Sequence, residues 1–201
     1  LTLNNMGSRR NFLKKSGILS ALALTSIPKV TEALTSENIL EPGEVRKPVV
    51  ISTWKHGLAA NDDAWKVLST NGTALDAVEK GVMNSESDFS NLSVGLGGLP
   101  DRDGNVTLDA CIMDEKGRCG GVAFLQRIKH PISVARMVME KTPHVLIVGS
   151  GAQKFALDNG FKLEPKKLSP EAEKAYKEWL KKSEYKPMMN IENHDTIGMV
   201  A

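Results

Sequence analysis

The chain has 201 residues, 41% of them apolar and 25% charged, with a formal net charge of +2. That length suits one domain, and the apolar share excludes a disordered chain because a core can be buried. The surplus charge sits at the front. Residues 1–47 hold seven Lys/Arg against four Glu, whereas 48–201 hold 19 basic and 20 acidic residues, so the body offers no electrostatic case for a nucleic-acid partner.

Ser8-Arg9-Arg10-Asn11-Phe12-Leu13-Lys14 matches the twin-arginine export pattern, and Met6 is the expected start. The apolar stretch that follows, Gly17 to Ile27, has 11 residues, too few to cross a bilayer as a helix. Residues 1–34 are read as an export signal, which implies a bacterial periplasmic protein and no membrane span. The alternative is a buried amphipathic helix with a basic start. Thr31-Glu32-Ala33 is a poor cleavage site. Residues 35–47, with Pro42 and Gly43, read as an exposed linker.

From residue 48 the pattern is that of a packed domain. The β-branched run Val49-Val50-Ile51-Ser52 predicts a buried strand. Asn61 is the expected cap of a helix whose Ala64, Trp65, Val67 and Leu68 share a face. Asn71-Gly72 breaks it, and Thr73 caps a second helix with Asp76 at its third position; Ala74, Val78 and Val82 mark the core side. Residues 93–105 are Gly-, Asp- and Pro-rich loop, with Asp101 read as a turn former. Val106 to Met113 and Gly121 to Leu125 form a hairpin around a turn at Asp114 to Gly117. Pro131 opens a helix that runs to Pro143. Val145 to Val148 predicts another buried strand, and Ala152 to Asn159 a short helix stopped by Gly160. Ser169-Pro170 opens the charged helix Glu171 to Lys182, with a narrow stripe of Ala175, Trp179 and Leu180. Thr196 to Ala201 is a final apolar run. The hairpin favours an α/β layered sandwich of the α+β type over a doubly wound parallel sheet.

Cys111 and Cys119 are too few for a disulfide scaffold and fit no zinc spacing. A cross-strand bridge requires a register that sets them opposite each other; two free thiols are the alternative.

The chemistry-bearing triplet is His194-Asp195-Thr196. Alone it is weak, because such triplets are common turns before strands. Here a polar loop, Asn190 to Asp195, feeds directly into a Thr that begins a buried strand, which would present a nucleophile on a rigid element.

His194-Asp195-Thr196-Ile197-Gly198-Met199 resembles the autocleavage motif of the glycosylasparaginases, or aspartylglucosaminidases. Ser52-Thr53-Trp54 with Gly57 resembles their first strand, and Thr73-Ala74-Leu75-Asp76-Ala77-Val78-Glu79 their early helix. Ser93 to Asp101 and Thr107 to Asp114 resemble two further blocks, all in family order across roughly residues 48–201. The Ile-Gly-Met that follows Thr196 favours this branch over the plant-type asparaginases and isoaspartyl peptidases.

The resemblance implies a partial four-layer αββα sandwich of the N-terminal nucleophile hydrolases. It implies self-cleavage between Asp195 and Thr196, with His194 and Asp195 holding strain and moving protons, and Thr196 then acting as the catalytic residue. It implies Trp54 as a wall of the substrate pocket, against the alternative of a core tryptophan at a strand end; Trp65 and Trp179 read as packing. His56 stands where the resemblance leads one to expect Phe. The implied substrate is a small glycosylated asparagine, with no cofactor and no metal. The implied partner is the chain's own β-subunit after cleavage, in an (αβ)2 assembly. The substrate-clamping Arg and Asp and the oxyanion donors would lie beyond Ala201, so residues 1–201 by themselves are expected to be inactive. The rivals are a broader asparaginase or isoaspartyl peptidase, and a non-catalytic exported binding domain.

Overall fold

The computed structural model describes residues 48–183 and 196–201. The export signal, the linker, His194 and Asp195 lie outside the described residues.

The elements run in the order β1 (Ile51–Ser52), α1 (Gly57–Leu68), α2 (Ala74–Ser87), a 3₁₀ turn (Gly95–Gly97), β2 (Leu108–Met113), β3 (Cys119–Leu125), α3 (Pro131–Lys141), β4 (Leu146–Val148), α4 (Gly149–Asp158), α5 (Pro170–Lys182) and β5 (Met199–Val200). Helices and sheets are mixed as an α+β chain requires. β1 pairs antiparallel with β5, and a second sheet has the order β2-β3-β4, with β2 antiparallel and β4 parallel to β3.

Local chemistry explains most of these elements. Thr73 Oγ1 accepts the Asp76 N–H at 3.1 Å and donates to Asp76 Oδ2 at 2.8 Å, a closed cap on α2. Ser169 Oγ caps α5 by accepting the Ala172 N–H at 3.2 Å. Each such cap contributes about 1 kcal/mol. Asp101 is the turn former expected, its Oδ1 accepting the N–H groups of Asp103 (2.9 Å) and Asn105 (2.8 Å). In the hairpin turn, Asp114 Oδ1 accepts the N–H groups of Lys116 and Arg118, while Oδ2 takes the Arg118 guanidinium.

α3 has no side-chain cap of its own. Glu86, buried on α2, supplies one: its Oε1 accepts the Ile132 N–H at 3.0 Å, and Oε2 lies 3.3 Å from His130 Nδ1. Arg136 on α3 reaches back to Asp76 (2.6 Å) and Glu79 (2.7 Å) of α2 and to Glu140 of its own helix (2.8 Å). Two polar ties therefore join α2 to α3. Between them and the sheet lies the core. Leu108 and Ile112 of β2, Val122 and Leu125 of β3, Val134 and Val138 of α3, and Ala152 and Ala156 of α4 form one buried cluster.

Several expectations need correction. α1 starts at Gly57, not at Asn61, because the turn that leaves β1 already has helical bonds, Gly57 N–H to Trp54 C=O and Leu58 N–H to Lys55 C=O, both at 3.2 Å. Its buried stripe is Gly57, Ala60 and Ala64, and Trp65 is 46% exposed. On α2 the buried positions are Ala77, Gly81, Val82, Ser85 and Glu86, while Ala74 faces solvent. On α5 the buried position is Ala172. β1 and β4 are not buried: Ile51 is 60% exposed, and Leu146 and Val148 of β4 are also open. β4 pairs with β3 alone, so it is an edge among the described residues. An edge strand can read as a continuous apolar run without being enclosed.

Cys111 stands opposite Gly121 and Cys119 opposite Met113, so the register sets the two cysteines diagonally and both are free thiols.

Candidate active site

The site is built where β1 ends and β5 begins. Ile51 pairs with Val200 and Ser52 with Met199. One position further, Thr53 and Gly198 close the ladder twice. The Thr53 N–H donates to the Gly198 carbonyl at 2.9 Å, and the Gly198 N–H donates to Thr53 Oγ1 at 2.9 Å. The second bond replaces a backbone partner with a hydroxyl, which frees β1 to turn away.

The turn follows at once. Trp54 has φ of 63°, in the left-handed region that a bulky side chain rarely enters, at a cost of about 1–3 kcal/mol. The surroundings hold it there. Ser52 Oγ donates to the Gly57 carbonyl at 2.8 Å, and the Gly57 N–H closes back on the Trp54 carbonyl. Gly57 is required by close approach: a Cβ there would collide with the Ser52 side chain. The Trp54 indole is 47% exposed, so it is not a core tryptophan. It stands at the end of β1, the end at which Thr196 enters β5.

On the β5 side the burial alternates. Ile197 and Met199 pack toward the core, whereas Thr196, Gly198 and Val200 face outward. Thr196 is thus exposed, on the same face as Gly198, three residues before Met199 anchors the strand. Met199 lies over Gly81 of α2. A Cβ on Gly81 would come within 2.5 Å of Met199 Sδ and 2.8 Å of the Ala60 carbonyl. The absent side chain lets α1, α2 and β5 meet.

A polar shell backs the turn. His56 Nδ1 lies 3.3 Å from Ser85 Oγ of α2, and Ser85 is only 2% exposed. Three residues on, Asp88 takes the N–H and the hydroxyl of Ser90, at 2.9 and 2.6 Å; these bonds hold its carboxyl below the ordinary range, and His56 adds a smaller pull. Burial pushes the Glu86 carboxyl up, and the His130 imidazole and the Ile132 N–H offset this only in part.

Of the residues singled out from sequence, the structure brings Trp54 and Thr196 to one end of the β1–β5 pair; His194 and Asp195 lie outside the described residues. Thr53, His56 and Ser85 were not assigned site positions. Thr53 lay within a quoted motif, but its contact with Gly198 spans 145 residues and leaves no spacing signal. A cleft of about 720 Å³ between the glycine-rich loop and α5, lined by Phe89, Leu96, Val106 and Tyr176 among others, includes neither Trp54 nor Thr196 and is separate from this site.

A family model described as asparaginase matches residues 48–201. Over 203 residues the chain is 59% identical to an N(4)-(beta-N-acetylglucosaminyl)-L-asparaginase of Elizabethkingia miricola, covering 100% of this chain and 57% of that protein. It is 39% identical over 185 residues to the Rattus norvegicus protein of the same name (76% of this chain, 53% of that protein). It is 38% identical over 167 residues to the Rattus norvegicus isoaspartyl peptidase/L-asparaginase (81% and 48%). The chain spans about half the length of these curated relatives.

Proposed function

Because the chain belongs to the asparaginase family, with glycosylasparaginases among its relatives, we propose that it is the front part of a self-cleaving amidohydrolase with Thr196 as nucleophile. The substrate is N4-(β-N-acetylglucosaminyl)-L-asparagine, hydrolysed to aspartate and a glycosylamine. The observation that carries this reading is the double bond pair between Thr53 and Gly198, which ties an exposed Thr196 and an exposed Trp54 to one rigid corner.

The chemistry follows from the residue types. Within the chain Thr196 has no free amine, and a Thr hydroxyl is a weak nucleophile. Its Oγ attacks the Asp195 carbonyl carbon; the acyl group passes from nitrogen to oxygen, giving an ester and a free Thr196 amine. Water then splits the ester, restoring the hydroxyl and leaving Asp195 as a carboxylate. An unstrained trans amide resists this attack, so His194 and Asp195 are assigned to hold strain, with Asp195 as the base.

The new α-amine, with an ordinary pKa of about 7.7–8.0, is neutral in part near neutral pH and takes the proton from Oγ of its own residue. Oγ then attacks the substrate's side-chain amide carbon. The amine leaves, a β-aspartyl ester forms, and water releases aspartate. The β-methyl of Thr limits χ1 and pre-aims the hydroxyl. The Trp54 indole walls the pocket at the asparagine moiety. The twin-arginine pattern at Arg9-Arg10 supports periplasmic export, and cleaved halves pairing into an (αβ)2 assembly complete the proposal.

The test uses the full-length gene product. Intact mass and N-terminal sequencing are expected to find a subunit beginning Thr-Ile-Gly-Met. Aspartate release is expected to be fastest from the glycosylated asparagine, ahead of free asparagine and β-aspartyl dipeptides. An unsplit, well-folded chain would instead be a binding module, and preference for β-aspartyl dipeptides would make it an isoaspartyl peptidase.

A further inference from the structure

We propose that His56 is a positioning residue for the substrate pocket: through Ser85 it holds the turn of residues 54–57, and with it the Trp54 indole, in register with Thr196. This rests on the amidohydrolase reading above.

The Trp54 ring is half exposed, and the backbone turn beneath it sets the direction in which it leaves the chain. That turn holds a bulky residue at φ of 63°, from which it relaxes unless both ends are fixed. The leading end is fixed by Thr53 to Gly198, on the strand that carries Thr196. Ser52 Oγ to the Gly57 carbonyl closes the loop on itself but ties it to nothing beyond β1 and α1. The trailing end is tied outward by His56 Nδ1 to Ser85 Oγ, across 29 residues. Ser85 is a firm anchor. It is buried, sits in the middle of the last turns of α2, and is followed by Glu86, which is itself bound to the start of α3. α2 also carries Gly81, the seat of Met199. One helix therefore references both the Trp54 turn, through His56, and the Thr196 strand, through Met199. A histidine here sets the distance between binding wall and nucleophile.

The experiment compares wild type with His56→Phe, His56→Asn and Ser85→Ala in the full-length, self-cleaved protein. Phe keeps a ring but makes no hydrogen bond; Asn presents a polar atom close to where Nδ1 stands. Loss of this one hydrogen bond is expected to raise KM about fivefold in His56→Phe and Ser85→Ala, with kcat within about twofold. Their double variant should be no worse than either alone, and His56→Asn should recover most of the affinity. A second readout needs no turnover. In protein labelled with ¹⁵N-tryptophan, the indole resonance assigned to Trp54 by its loss in Trp54→Phe should move in His56→Phe and Ser85→Ala and return in His56→Asn. An unmoved Trp54 resonance, or independent effects of His56 and Ser85 on KM, overturns the proposal. If wild type hydrolyses no asparagine amide, the functional reading fails, while the resonance still decides the positioning. Should His56→Phe fail to accumulate, Ser85→Ala decides it by the same two measures.

Discussion

Gly198 gives its carbonyl to the Thr53 N–H and its own N–H to the Thr53 hydroxyl, both at 2.9 Å, across 145 residues of chain. Two residues before Gly198 is Thr196; one residue after Thr53 is Trp54. The pair is where the two halves of the proposed site are joined.

Thr53→Val keeps the shape of the side chain but leaves the Gly198 N–H without its acceptor. A net loss of about 1 kcal/mol is expected, which is about fivefold in the rate of self-cleavage if it falls on the transition state rather than on the ground state. The time course of subunit appearance by denaturing gel checks it. Unchanged processing would mean that the backbone bond alone holds β5.

Thr196→Ala removes the hydroxyl proposed as the nucleophile. Splitting and turnover should both vanish, while Thr196→Ser should retain some of each, less well aimed for want of the β-methyl. Normal processing of Thr196→Ala, read by intact mass, would show that the nucleophile has been wrongly assigned.

Gly81→Val places a branched side chain against the Ala60 carbonyl and the Met199 thioether. Overpacking of this kind costs about 1–3 kcal/mol. For a protein of this size a loss of about 2 kcal/mol lowers Tm by about 4–8 °C. Self-cleavage should slow as well, because displacing Met199 moves the strand that carries Thr196. Thermal unfolding together with the processing rate separates this site from an ordinary helix position.

Glu86 gives stability a pH slope of known sign. Burial holds its folded pKa above the ordinary value of 4.5, so between those two points the native state binds more protons than the unfolded chain. Its contribution to stability is therefore fullest below 4.5 and falls as pH rises through the raised value. Glu86→Gln keeps an oxygen for the Ile132 N–H and should lose the slope; Glu86→Ala strands that N–H and should cost about 1–3 kcal/mol at every pH. Urea midpoints from about pH 4 to about pH 8 test this by linkage. Parallel curves for wild type and Glu86→Gln would contradict it.

Cys111 and Cys119, set diagonally across β2 and β3, should both react with a thiol reagent in protein unfolded without reductant. Substituting Cys119 by Ser should leave Tm within about 1 °C, since no crosslink constrains the unfolded chain. A mass shortfall of two hydrogens in the oxidised protein would show a bridge and a shifted register.

What the residues determine alone is what happens within a few positions. Thr73 with Asp76, Ser169 with Ala172, and Asp114 with Lys116 and Arg118 are bonds between neighbours, so their chemistry names the caps and turns directly. The apolar run after Asp195 marks a strand for the same reason, although the strand itself is Met199–Val200 and Thr196 precedes it by three residues. The tertiary structure decided the rest. Whether Ile51 and Leu146 are covered depends on what lies across from them, and both turn out to be exposed. The start of α1 at Gly57 depends on a turn that Ser52 and Ser85 hold from outside the helix. The union of Thr53 with Gly198 requires closing a loop of 145 residues, whose entropic cost is met by the packing of the whole core and is written in no local pattern.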